Sequence, residues 1–150
     1  MKILIRNLMF ILISILFAAC SAEPTAGLPQ VLPATQGNNP YAPQPGDNAL
    51  VRADVIIESA SLTRMELAPP QILLNFSYFP STPCHQLRVE VTPPDAQNRI
   101  NVTAYGVAEN APCNLAAIAT SLPASVDLGS FPAGHYSVFL NAAPVGEFDM

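Results

Sequence analysis

Residues 84–104 read CHQLRVEVTPPDAQNRINVTA. Leu87, Val89 and Val91 alternate with Gln86, Arg88 and Glu90, and Ile100, Val102 and Ala104 alternate with Asn101 and Thr103. Period-2 alternation over such lengths is the pattern of a half-buried strand. Pro93-Pro94-Asp95 between the two runs is a turn signal. The segment is therefore predicted to be a two-stranded unit, and the same period continues on both sides of it. Val51, Ala53, Val55 and Ile57 alternate with Arg52, Asp54 and Glu58, although Ile56 breaks the polar face. Ile72, Leu74, Phe76 and Tyr78 form a second face that Pro80 ends. Val126 and Leu128 precede a turn at Pro132-Ala133-Gly134. Tyr136, Val138 and Leu140 form the last strong face, with a short terminal run from Val145 to Phe148. About seven runs at roughly 8–12-residue spacing predict an all-β chain, an antiparallel β-sandwich of immunoglobulin type. The one helical candidate is Asn114 to Thr120, which could equally be a strand.

Upstream of Val51 the pattern disappears. Residues 21–50 hold six prolines among Ala, Gly, Gln, Asn and Thr, with no period of 2 or 3.6. Such a segment buries too little apolar surface to offset its ordering entropy, and its prolines keep it extended. Residues 20–50 are read as a flexible tether and 51–150 as the folded domain. An ordered arm packed on the domain is the alternative, kept open by Leu28, Val31, Leu32 and Tyr41.

The first residues carry an address. Lys2 and Arg6 precede an apolar run from Leu8 to Phe17, which ends in Ala18-Ala19-Cys20. A basic head, a short apolar middle and small residues before the cut make a secretory signal peptide over residues 1–19. The run is shorter than the roughly 20 apolar residues of a spanning helix. With a cysteine after the small pair, the stretch resembles a bacterial lipobox. The resemblance implies that Cys20 is lipidated and becomes the mature N-terminus, with Ser21 after it pointing to the outer membrane where a cell has two. A plain signal peptide cut after Ala19 and a retained anchor are the alternatives. The expected localisation is export, with the lipid on Cys20 holding the chain to the bacterial cell membrane or outer membrane.

Three cysteines, Cys20, Cys84 and Cys113, leave an even pair once Cys20 is lipidated. Cys84 and Cys113 flank the two-stranded unit, and export favours their oxidation. A redox pair or a set of metal thiolates is the alternative. Neither Cys-x-x-Cys nor a His/Cys cluster occurs, so the pair reads as a structural disulfide.

Two further stretches carry a family likeness: Phe79-Pro80-Ser81-Thr82-Pro83-Cys84, and Leu128-Gly129-Ser130-Phe131-Pro132-Ala133-Gly134-His135-Tyr136-Ser137-Val138-Phe139-Leu140-Asn141. With Cys113 between them, residues 55–150 resemble a group of small exported bacterial domains, many of them lipoproteins. Those carry Pro-x-x-Cys before one strand, where Pro80 here stands four residues ahead of Cys84, a second cysteine further on, and a final Gly-x-Tyr-x-Val strand ending in Asn-Gly. The resemblance implies an immunoglobulin-like fold and an extracytoplasmic place, and it assigns no catalytic residue. Ala142 stands where the pattern has Gly, which predicts a longer turn over Asn141-Ala142-Ala143-Pro144.

Beyond residue 19 the chain has four arginines and no lysine against eleven acids. That balance excludes a nucleic-acid footprint. It also limits membrane contact to the lipid, because anionic headgroups repel an acidic surface. His85 and His135 are the only histidines, and no HxH or HxxxH spacing joins them to Glu58, Glu66, Glu90 or Asp127. No Gly-x-Ser-x-Gly elbow occurs, and Gly129-Ser130 lies in the wrong context. Asn75 and Asn101 match glycosylation sequons, matches that the bacterial lipoprotein reading expects to be chance. Tyr41, Phe79 and Tyr105 are candidate partner-facing aromatics, with core or rim packing as the plainer reading. No enzyme, cofactor or metal is expected. The expected function is a non-catalytic envelope module that binds a protein or glycan. The alternative is a small protease inhibitor using loops 79–84, 107–113 and 130–135.

Overall fold

A computed structural model describes residues 37–116 and 120–150. Among them are eight strands: β1 (Val51–Asp54), β2 (Ile56–Met65), β3 (Gln71–Phe79), β4 (Gln86–Val91), β5 (Arg99–Ala108), β6 (Leu122–Gly129), β7 (His135–Leu140) and β8 (Ala143–Asp149). They form two sheets, one of β2-β3-β6 and one built around β5. The faces between the sheets are those the alternation marked. Ile72, Leu74, Phe76 and Tyr78 of β3 are buried with Val126 and Leu128 of β6, against Val89, Ile100, Val102, Val138 and Leu140 of the other sheet. Leu74, Val89, Ile100 and Val126 are wholly excluded from solvent.

The break at Ile56 has a structural cause. The expected single run 51–57 is two strands, because the chain changes sheets at the buried Val55. β1 pairs with β5, whereas β2 pairs with β3, leaving Ile56 71% exposed at the start of β2. β2 also runs on to Met65, beyond the period-2 signal. The helical candidate is not borne out at Asn114–Ala116 or Thr120, and residues 117–119 lie outside the described part.

β5 carries an arrangement the alternation did not reveal. One edge pairs with β4. The other is shared by two short strands in series: β7 pairs with Arg99–Val102 and β1 with Tyr105–Ala108. The β5–β7 pair is parallel and every other pair is antiparallel. On this edge, in the space between the two partners, Ala104 has no strand beside it. Asn141 fills the space: its Oδ1 accepts the Ala104 N–H at 2.8 Å and its Nδ2 donates to the Ala104 carbonyl at 3.0 Å. A single amide side chain thus supplies the donor and acceptor of a missing strand residue.

That contact also explains the β7–β8 turn. Leu140 pairs directly with Ala143, so the turn has two central residues rather than the longer path expected from Ala142. Asn141 and Ala142 adopt φ of 48° and 66°. Positive φ at both central residues is the geometry of the type I′ hairpin, whose twist matches the strands it joins. Asn tolerates this region, and Asn141 is further held there by Ala104. Ala142 is exposed and has no such support. A left-handed conformation costs a non-glycine residue roughly 1–2 kcal/mol, partly offset by the smaller unfolded-state entropy of Ala relative to Gly. Ala142→Gly should therefore stabilise the domain by about 0.5–1 kcal/mol in denaturant unfolding. Destabilisation would contradict the assigned turn.

The folded unit does not start at Val51. Residues 37–50, assigned to the tether by composition, lie on the sandwich as an ordered arm. Tyr41 packs against the core, the Val89 N–H donates to the Tyr41 carbonyl at 2.8 Å, and Asp47 pairs with Arg88. A 3-10 turn over Asp47–Ala49 leads into β1. Residues 1–19, expected to be a signal peptide, and the rest of the expected tether, residues 20–36, lie outside the described part.

Candidate binding surface

The sandwich has two ends, and topology sorts the candidate residues between them. At one end β3 and β5 finish and β4 begins. Here Cys84 and Cys113 form the expected disulfide, with Cα atoms 5.9 Å apart and a sequence separation of 29. The bond ties loop 80–85 to the segment after β5. Ser81 donates its hydroxyl to the Asp54 carbonyl, fixing the same loop to β1. His85 belongs to this framework. Its Nδ1 lies 2.8 Å from the Thr82 hydroxyl, and its side chain rests on Gly106. A Cβ at Gly106 would stand 2.9 Å from the His85 Cβ, so the glycine permits the approach. His85 is a packing residue of the loop.

Around this frame the surface turns apolar. Val51 opens β1 opposite Ala108, and Ile56 opens β2 opposite Phe79. Leu115 follows Cys113 by two residues. All three are exposed, at 46%, 71% and 65%. A cleft of about 390 Å³ lies at the disulfide itself, lined by Leu50, Cys84, Val107, Glu109 and Pro112 among others. Because the disulfide closes a loop that the unfolded chain would otherwise leave open, Cys84→Ala/Cys113→Ala should lower stability by about 3 kcal/mol. An unchanged unfolding midpoint would show that the bridge constrains nothing.

Loop 130–135 is at the other end. Ser137 donates its N–H to the Asn98 carbonyl, and Gly134 and Met150 exchange two backbone bonds. The three loops named for an inhibitor are therefore divided, two at the disulfide end and one opposite it. His135 lies between two carboxylates of β8: Nδ1 is 2.8 Å from Asp149 Oδ1 and Nε2 is 3.3 Å from Glu147 Oε2. The hydrogen bond to Asp149, aided by both negative charges, raises its pKa above 6.5. Its contribution to stability is present below that value and fades as pH rises through the raised one. Phe131, Tyr136 and Phe148 pack beneath, with ring centroids 5.2–5.5 Å apart. No group of three His, Cys, Asp or Glu side chains among the described residues is placed to hold a metal ion.

The candidate aromatics are absorbed by packing. Tyr105 is only 7% exposed and lies under Arg52, whose guanidinium carbon is 3.5 Å from the ring centroid. Tyr41 and Phe79 are half-buried. Across β4 from Tyr105 is Arg88, 6% exposed. Its Nε and Nη2 donate to the two Asp47 carboxylate oxygens at 2.7 and 3.1 Å, and its remaining donors reach the Leu87 carbonyl and Gln86 Oε1. In the sequence Arg88 reads as one more solvated position of an alternating strand. Nothing local announces a partner 41 residues upstream.

The Arg88 hydrogen bond, with a second from the Gln44 N–H, holds the Asp47 carboxyl below its usual 3.8. A lowered carboxylate pKa stabilises the fold above the unfolded value, and that stabilisation is lost as pH falls through the folded one. Asp47→Asn should reduce the loss of stability between pH 5 and 2 and make residues 37–50 more sensitive to protease at neutral pH. Protease resistance equal to wild type would show that this pair does not hold the arm.

The outer face of β2-β3-β6 is a polar array. Ser59 meets Ser77 at 2.7 Å, Asn75 donates to Thr63 at 3.1 Å and accepts from Ser125 at 2.9 Å, and Glu58 accepts from Ser77 and Ser121. The Asn75 sequon is thus tied into the strand surface. No helix among the described residues is long and apolar enough to cross a membrane. Cys20 lies outside them. Comparison with family models, curated proteins and solved structures gives no match.

Proposed function

We propose that this chain is an exported lipoprotein, joined to the membrane through a lipid on Cys20, whose sandwich binds a protein of the cell envelope through its disulfide end and catalyses no reaction. The observation that carries the reading is the exposure of three apolar side chains, Val51, Ile56 and Leu115, on segments that lead into or out of the disulfide end, where the loops are fixed. Exposed apolar side chains on a rigid frame are what a protein partner buries as anchors, with little ordering entropy left to lose. An apolar rim favours a protein over a glycan.

The acidic balance supports a neutral or basic partner. The ordered arm sets the reach. Residues 21–36 alone separate Cys20 from Gly37, a span of at most roughly 60 Å when fully extended. Such a leash suits a target fixed in the envelope.

The test uses photo-crosslinking side chains at Leu115 and Ile56 in intact cells, with Leu67 at the opposite end as the control. One protein species captured from both disulfide-end positions and absent from Leu67 is expected. Equal capture from all three positions, or none at the disulfide end, would overturn the reading. Mass spectrometry of the membrane-extracted chain should show a diacylglyceryl adduct on Cys20, and an unmodified mature N-terminus would remove the anchor.

A further inference from the structure

β4 and β6 are edge strands of the two sheets, and between them the sandwich is open along one side. Residues 37–41 lie in this seam as a strap. The Asp127 N–H of β6 donates to the Asn38 carbonyl at 3.3 Å. On β4, Val89 gives its N–H to Tyr41 and takes the Asn39 side-chain amide on its carbonyl, both at 2.8 Å. Tyr41 packs on the core, and six residues later Asp47 closes on Arg88. Gly37 sits so close to Asp127 that any Cβ would collide with its side chain and its backbone carbonyl.

These contacts define a seat with strict demands. It takes an extended backbone against Val89, a residue without Cβ beside Asp127, an aromatic ring at the core margin, and a carboxylate for a guanidinium that is 6% exposed. The strap forms no regular ladder, Tyr41 is half-buried, and a groove of about 210 Å³ remains beside it, bordered by Pro43, Val91 and Leu128. Arg88 supplies the charge that selects the occupant, since a buried guanidinium without its carboxylate is strongly unfavourable.

We propose that this seat also accepts the strap of a second copy of the chain, each copy lending residues 37–47 to the other while the turn at Asn48–Leu50 opens as the hinge. The only segment shown to satisfy all four demands is the strap itself, and a second copy carries it unchanged. Every seam contact is reproduced in the exchanged pair. Closed and exchanged forms then differ in the hinge and in concentration alone, the condition under which exchange of an element is a low-cost route to a dimer. In the closed form the strap competes from the same chain at high effective concentration, so exchange is favoured by crowding the copies together.

The probe is a fluorescent peptide of residues 37–50, titrated by anisotropy against the full chain. The Asp47→Asn and Tyr41→Ala chains keep the seat but weaken their own strap. They should bind the peptide at least about ten-fold more tightly than wild type does. Peptides carrying Tyr41→Ala or Asp47→Asn should lose a similar factor. Sedimentation of the wild-type chain at rising concentration should show a dimer that excess peptide dissolves. No tightening in either variant chain, or binding indifferent to Tyr41 and Asp47 of the peptide, overturns the seat. Peptide binding with a chain that stays monomeric overturns the second-copy assignment and leaves the seat to an extended segment of another protein.

Discussion

The closing of the seam between β4 and β6 is the contact on which the rest of this structure depends. A two-sheet sandwich of this size leaves edge strands whose backbone groups face outward, and such edges invite pairing with other chains. On one side β8 and β2 approach each other, where Gly146 meets the Leu62 side chain. On the other side no strand is available, and the strap takes the place of one. It uses single hydrogen bonds to Val89 and Asp127, a tyrosine at the core margin, and an ion pair on the outer face. Pro123 blunts the β6 edge further along.

The same economy appears at β5. Two short strands share its edge, one parallel and one antiparallel, and the space between them falls at Ala104. The Asn141 amide satisfies that backbone from within a hairpin turn. The turn residue that completes the sheet, Asn141, is therefore also held in its positive-φ conformation by that contact, while the cost of the turn falls on Ala142. In both places a polar side chain or an irregular segment does what a strand residue does elsewhere, pairing the backbone of Ala104, Val89 and Asp127.

The strands were largely legible because their period is local. Ile72 to Tyr78 and Tyr136 to Leu140 declare their inward faces one residue at a time, and the Cys84–Cys113 bridge followed from counting. The strap was not legible. Proline content and the absence of a period describe residues 37–50 correctly, yet order there comes from partners far along the chain: Val89, Arg88 and Asp127. The composition rule measures how much apolar surface a segment can bury by itself, and the strap instead borrows a core that already exists. The β7–β8 turn was missed for a related reason. Ala142 argued against a tight turn, while Asn141 was stabilised by Ala104, whose proximity no local pattern encodes. Of the proposed binding surface, the paired cysteines were visible, but the exposure of Ile56 required the chain to change sheets at Val55.

Amide hydrogen exchange on the full chain puts the strap to the most direct test, read at Val89 and Asp127. Both are backbone donors on otherwise open edges, and both are bonded to the strap. If residues 37–50 belong to the folded domain, these two amides exchange slowly, open together, and lose protection together in Asp47→Asn. Exchange of Val89 and Asp127 at the rate of unprotected amides in the wild-type chain would mean that the seam is open and that the strap is tether after all.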